Sequence, residues 1–85
     1  MTRLFVANVS YHATEEDLSV AFSAFGPLKE CLLIQDRQSD RHKGYAFVEF
    51  QSPMDAEAAL KALDETELLG RRIVVREATK PRRDK

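Results

Sequence analysis

The stretch Gly44-Tyr45-Ala46-Phe47-Val48-Glu49-Phe50 decides how the rest of the chain is read. It is rich in aromatic and β-branched residues. It lies between the polar run Asp36 to Lys43 (DRQSDRHK) and the helix-opening pair Ser52-Pro53, so it reads as a strand. Side chains on a strand alternate between its two faces. Ala46, Val48 and Phe50 therefore point one way, and Tyr45, Phe47 and Glu49 the other. The small and branched set, with Phe50, suits a packed core, which leaves two aromatic rings on the opposite face.

Working outward, Leu28 to Gln35 reads as the preceding strand and Leu4 to Val9 as the first. In the first, Leu4 and Val6 suit the core and Phe5 joins Tyr45 and Phe47. Between those two strands, Thr14 stands before Glu15, Glu16 and Asp17, an N-cap followed by acids in the first turn of a helix. Leu18, Ala21, Phe22 and Phe25 recur at helical spacing, and Gly26-Pro27 supplies the stop. After Phe50, Ser52 suits a cap and Pro53 the first helical position. Met54, Ala58, Leu60, Ala62 and Leu63 give this second helix its apolar content. Asp64 to Leu69 reads as a loop with room for a short extra strand, and Arg71 to Ala78 as the fourth strand.

Strand-helix-strand twice over predicts an α+β ferredoxin-like two-layer sandwich, βαββαβ, with a four-stranded antiparallel sheet and two helices on one face. The other sheet face is left bare. Residues 1–79 read as the domain and residues 80–85 (KPRRDK) as a basic, flexible tail.

Eighty-five residues exclude a multi-domain enzyme, and 44% hydrophobic residues argue for a globular chain. The charges nearly cancel, 13 Lys and Arg against 14 Asp and Glu, so a polyanion cannot be held by net charge and needs a local patch. Cys31 is the single cysteine and His12 and His42 lie far apart, which argues against a disulfide framework or a metal site. No secretory or membrane-spanning run is visible, so an intracellular protein, nuclear or cytoplasmic, is expected. No nucleophile elbow, phosphate-binding loop or metal set is present either, and no catalytic residue, cofactor or metal is assigned. Met1 lies close to the first strand, and the chain reads either as a complete small protein or as an excised domain.

Three rings on a solvent-facing sheet are unfavourable unless something covers them, and flat apolar rings are what unstacked bases seek. On the neighbouring strands alternation turns Leu32 and Ile34 outward beside the rings, and likewise Arg72, Val74 and Arg76, with Arg3 on the side of Phe5. Arg76 leads the basic candidates for phosphate or base-edge contact. Glu49 interrupts this basic face and is placed to pair with Arg3 or Arg76. Most acids (Glu15, Glu16, Asp17, Asp55, Glu57, Asp64, Glu65 and Glu67) fall on the helical side. Arg37, Arg41 and His42 fall in the loop at the sheet's edge. A molecule acidic behind and basic in front is expected.

Lys43-Gly44-Tyr45-Ala46-Phe47-Val48-Glu49-Phe50 resembles the octamer signature of the RNA recognition motif family at every defined position. Leu4-Phe5-Val6-Ala7-Asn8-Val9 is similar to its hexamer signature, and the likeness extends from Arg3 to about Lys80. It implies that Phe5 and Tyr45 each stack a base, that Phe47 lies against the sugars between two nucleotides, and that Lys43 contacts a phosphate. It also implies that the segment after the fourth strand, Ala78-Thr79-Lys80, crosses the sheet to touch RNA. The expected partner is single-stranded RNA of about two to four nucleotides, with single-stranded DNA possible in vitro. The role is post-transcriptional, and the chain is expected to be a monomer. The alternative is a protein-binding module on the same fold. Relatives that bind peptides through the helices usually carry Arg-x-Phe before the fourth strand, where this chain has Glu67-Leu68-Leu69-Gly70. A protein partner on the acidic helical face is compatible with RNA on the sheet.

Overall fold

The computed structural model describes residues 2–35 and 42–78, with the backbone alone at Gln35, His42 and Lys43. The elements run β1 (Arg3–Ala7), α1 (Glu15–Ser23), β2 (Leu28–Gln35), β3 (His42–Phe50), α2 (Pro53–Leu63), β4 (Glu67–Leu68), β5 (Arg71–Arg72) and β6 (Val74–Glu77). Four strands form one antiparallel sheet in the spatial order β2-β3-β1-β6, while β4 and β5 pair apart from it as a short hairpin. Both helices pack on the same face of the sheet, as the βαββαβ pattern requires.

The packed face carries the residues that alternation assigns to it. Leu4, Val6, Ala46, Val48, Phe50 and Val75 are buried against Leu18 and Phe22 of α1 and Ala56 and Ala59 of α2. Side chains of Val, Leu or Phe size contribute roughly 1.5–3 kcal/mol each when fully buried. Phe22 and Phe50, with ring centroids 6.5 Å apart, join α1 to β3.

Local chemistry explains where the helices begin. The Thr14 hydroxyl accepts from the Asp17 N–H at 3.2 Å, and the Asp17 carboxylate accepts from the Thr14 N–H at 3.0 Å, a reciprocal capping box. Ser52 occupies the N-cap of α2, but its side chain makes no capping bond, contrary to expectation; Pro53 alone marks that start. The apolar stripe of α2 also differs from the one expected. Met54, 78% exposed, and Ala58 and Ala62 face solvent, whereas Ala56 and Ala59 face the sheet with Leu60 and Leu63 beside them. A period of 3.6 residues puts 56, 59, 60 and 63 on one stripe and carries 54, 58 and 62 off it. At the end of α1, Gly26 has φ +154°, and a Cβ there would run into the Asp55 carboxylate at the start of α2. Close approach of the two helices is what requires glycine.

The expected fourth strand, Arg71 to Ala78, divides at Ile73. The Ile73 N–H donates to the Thr66 carbonyl at 2.9 Å, and the Ile73 carbonyl accepts from the Glu65 N–H at 2.8 Å. Residues 71–72 consequently pair with β4, and only Val74–Glu77 joins β1. Arg72 therefore sits on the exposed hairpin and not on the four-stranded sheet. His42 likewise belongs to the start of β3, paired with Gln35, and not to the preceding loop.

Both edges of the sheet are covered from the helical side by a carboxylate. Glu15 accepts from the Leu33 N–H of β2 at 3.0 Å, and Asp64 accepts from the Val75 N–H of β6 at 2.9 Å. Each takes up a backbone donor that an edge strand would otherwise offer to another chain. Cys31 packs half-buried behind β2, and burial, followed by the nearby Glu15 charge, pushes its thiol up to about 11. It stays protonated at neutral pH and is a packing residue.

Candidate nucleic-acid interface

Cross-strand register assembles the bare face. Phe5 of β1 lies directly opposite Phe47 of β3, Ala7 opposite Tyr45, and Arg3 opposite Glu49. On the flanks, Leu32 of β2 lies opposite Phe47, and Arg76 of β6 opposite Phe5. Paired residues in an antiparallel sheet share a face, so the three rings form one patch. The Phe5 centroid is 5.5 Å from that of Tyr45 and 5.4 Å from that of Phe47, with the planes tilted by 43° and 53°. All three rings are part-exposed, while Leu4, Val6, Ala46 and Val48 between them are buried. The register places Phe5, Tyr45 and Phe47 as alternation predicts.

The flanking candidates divide. Leu32 and Val74 are half-buried beside the rings, Leu32 opposite Phe47 and Val74 opposite Ala7. Ile34, also half-buried, lies where the β2–β3 register shifts between Leu33 and Gln35, so it is not squarely opposite Tyr45. The Ala78 N–H donates to the Arg3 carbonyl at 2.9 Å and prolongs the pairing of β6 with β1. Lys43 is placed by its backbone in β3, its side chain lying outside the described residues. Lys80, Arg37, Arg41 and the tail at 80–85 lie outside them as well.

The expected basic front is not what the described residues make. Arg3 stands over Phe47, its guanidinium carbon 5.1 Å from the ring centroid. It donates to Glu49 at 3.3 Å and lies 3.9 Å from Glu30. Glu30 is opposite Glu49 in register and so shares the ring face, a second acid there that the sequence reading left out. Arg76 folds round the sheet edge, where its Nη1 donates to both oxygens of Asp64 at 3.1 and 3.2 Å. Each of these two cations is already matched by an acid. A phosphate must displace a carboxylate to reach either. These exposed pairs are weak enough for such exchange, typically about 0–1 kcal/mol each.

Asp64→Asn tests that exchange. The amide oxygen can still accept from Val75, but the charge holding Arg76 is gone. Affinity for single-stranded RNA is expected to rise about two- to fivefold, with a steeper salt dependence as Arg76 gains a phosphate. An unchanged salt slope removes Arg76 from the phosphate contacts.

At the Tyr45 end, three further residues organise the surface, and sequence reasoning passed over them. Asn8 adopts φ +61°, turning the chain out of β1, and Asn is among the few side chains that tolerate this region. Its amide donates to the Arg72 carbonyl at 2.6 Å and accepts from the Arg71 guanidinium, docking the β4–β5 hairpin against the end of the sheet. Tyr11, 52% exposed, stands in the loop that follows. Asn8 right after an apolar strand was the available signal; its partners were not visible.

Comparison with known proteins agrees with this geometry. Residues 4–74 match the family described as RNA recognition motif. The chain is 42% identical over 81 residues to the putative RNA-binding protein RbpD of Nostoc sp., covering 95% of this chain and 85% of that protein. It is 41% identical over 73 residues to glycine-rich RNA-binding protein 1 of Mycosarcoma maydis, covering 86% of this chain but spanning only 42% of that protein. Among solved structures it superposes on an Sxl-lethal protein/RNA complex with a TM-score of 0.88 at 32% identity, covering 94% of this chain and 48% of that one.

Proposed function

The chain belongs to the RNA recognition motif family, and on that premise we propose that it binds single-stranded RNA on the outer face of its four-stranded sheet. It is a binding module, not an enzyme. The observation that carries the reading is the contiguous patch of Phe5, Tyr45 and Phe47 on the sheet face opposite the helices. Bases stack on Phe5 and Tyr45, and Phe47 lies against the sugars between them. Leu32 and Val74 widen the patch for van der Waals contact, and Lys43, Arg3 and Arg76 meet the backbone or base edges. Such rings are reached by unpaired bases and not by a duplex, whose bases are already stacked. About two to four nucleotides cover the patch.

The acids on the face give the site its selectivity. Glu49 and Glu30 accept hydrogen bonds and repel phosphate, so the strand is held chiefly by stacking and its salt dependence is shallow. The biological role is post-transcriptional, in RNA processing, stability or translation, inside the cell. Single-stranded DNA can use the same rings in vitro, since stacking does not read the 2′-hydroxyl.

A protein partner on the helical face is the second reading, and little favours it. Val20 and Met54 are exposed there, but singly exposed apolar residues are ordinary on protein surfaces. The test is competition for a labelled, randomised single-stranded RNA. Unlabelled single strands are expected to compete at least tenfold better than the same RNA annealed to its complement. Equal competition contradicts the stacking mode.

A further inference from the structure

Beyond the three-ring patch, we propose that the groove at the Tyr45 end of the sheet takes one further nucleotide of the bound strand, its base against Tyr11 and its phosphate toward Arg71. This rests on the RNA-binding reading of the sheet.

The groove has a volume of about 310 Å³ and is lined by Tyr11, Tyr45, Arg71, Gly44 and the chain from Ala7 to Val9. That is the lower end of the range for small-ligand sites, about 300–1,000 Å³, and suits a single nucleotide. Three features give it a built shape. The Val9 N–H donates to the Gly44 carbonyl at 2.8 Å and closes the floor between β1 and β3. Asn8 in the left-handed region turns the loop away so that Tyr11 forms a wall. The Asn8 side chain holds both Arg71 and the Arg72 carbonyl and fixes the hairpin as the opposite wall.

The chemistry of the lining is that of the patch it adjoins. Tyr45 belongs to both, so a strand stacked on Tyr45 enters the groove without a break. Tyr11, 52% exposed, presents a fourth aromatic ring, and stacking on a ring is indifferent to base identity. Arg71 carries five N–H donors, of which the bond to Asn8 uses one, and its planar head suits a phosphate. Among the described residues it differs from Arg3 and Arg76 in being held by a neutral amide and not by a carboxylate. Among those residues, a phosphate there displaces no acid.

The test follows amide shifts of the full ¹⁵N-labelled chain against randomised RNA pools of two to six nucleotides. Affinity is expected to step up about tenfold once the strand is long enough to reach the groove. The Tyr11 and Arg71 amides should shift only with that longer pool. Tyr11→Ala is expected to abolish the step while leaving dinucleotide affinity at the wild-type value, which also shows that the variant is folded. A step that survives Tyr11→Ala, or no step at all in the wild type, overturns the subsite. Failure of the underlying reading looks different: dinucleotides then fail to bind, or bind Phe47→Ala as well as wild type, and the subsite falls with it.

Discussion

Phe50→Ala is expected to lower the free energy of unfolding by about 3–5 kcal/mol, the usual result of truncating a buried Phe. The ring is 1% exposed, meets Phe22 of α1 at 6.5 Å and lies in the core between the sheet and the helices. Removing it leaves a cavity beside Phe22 that the rest of the core cannot fill without moving the helices off the sheet. Small domains are stable by only about 5–15 kcal/mol, so the variant should be near the limit of folding at 25 °C. The backbone is not at issue, since the Phe50 N–H donates to the Thr2 carbonyl whatever the side chain. Urea denaturation reads the effect as a drop in midpoint with little change in slope. A midpoint equal to wild type places Phe50 on the solvent side and reverses the assignment of faces throughout β3.

Phe47→Ala, three residues earlier on the same strand, is expected to do the opposite. Its ring is part-exposed on the bare face and touches Phe5 and the Arg3 guanidinium, not the helices. Truncation should leave the melting temperature within a few degrees of wild type and weaken single-stranded RNA by about 1–3 kcal/mol, roughly five- to 150-fold. Part of the loss comes through Arg3, which has no ring to rest on and is left to Glu49 and Glu30. Isothermal titration of the same RNA against both proteins reads it. Unchanged affinity in a folded Phe47→Ala protein means that RNA does not lie on these rings. The two variants form a contrast: one residue holds the fold and the other the ligand, because an odd separation of three residues puts them on opposite faces of the strand.

The ring patch was legible in the sequence because it depends on the simplest periodicity a chain can carry. Once Gly44 to Phe50 is a strand, alternation assigns every side chain, and the register of β1 against β3 adds only which ring faces which. The α1 start was legible for a similar reason, since Thr14 and Asp17 carry their capping bonds within four residues. What escaped depends on contacts between distant segments. Arg71 to Ala78 has the pattern of one continuous strand. It is broken because Leu69 and Gly70, at φ +52° and +88°, turn the chain back on Glu67 and Leu68. Glycine announces such a turn, but a leucine in that region does not, and so Arg72 was set on the wrong sheet. Arg76 was expected on the front, with Glu49 placed to pair with it or with Arg3; Glu49 pairs with Arg3, and nothing local reveals Asp64, twelve residues away, as the partner of Arg76. In α2 the alanines at 56, 58, 59 and 62 leave the stripe ambiguous, and packing selects 56 and 59.

The central claim is that the sheet face opposite the helices receives a single strand of RNA. Its most direct test is an amide-shift titration of the ¹⁵N-labelled protein with randomised single-stranded RNA at low salt. Saturable shifts are predicted at Phe5, Leu32, Tyr45, Phe47 and Arg76, with the amides of Ala56, Ala59 and the exposed side of α1 unmoved. Shifts confined to the helices, or none at any RNA concentration, contradict the account.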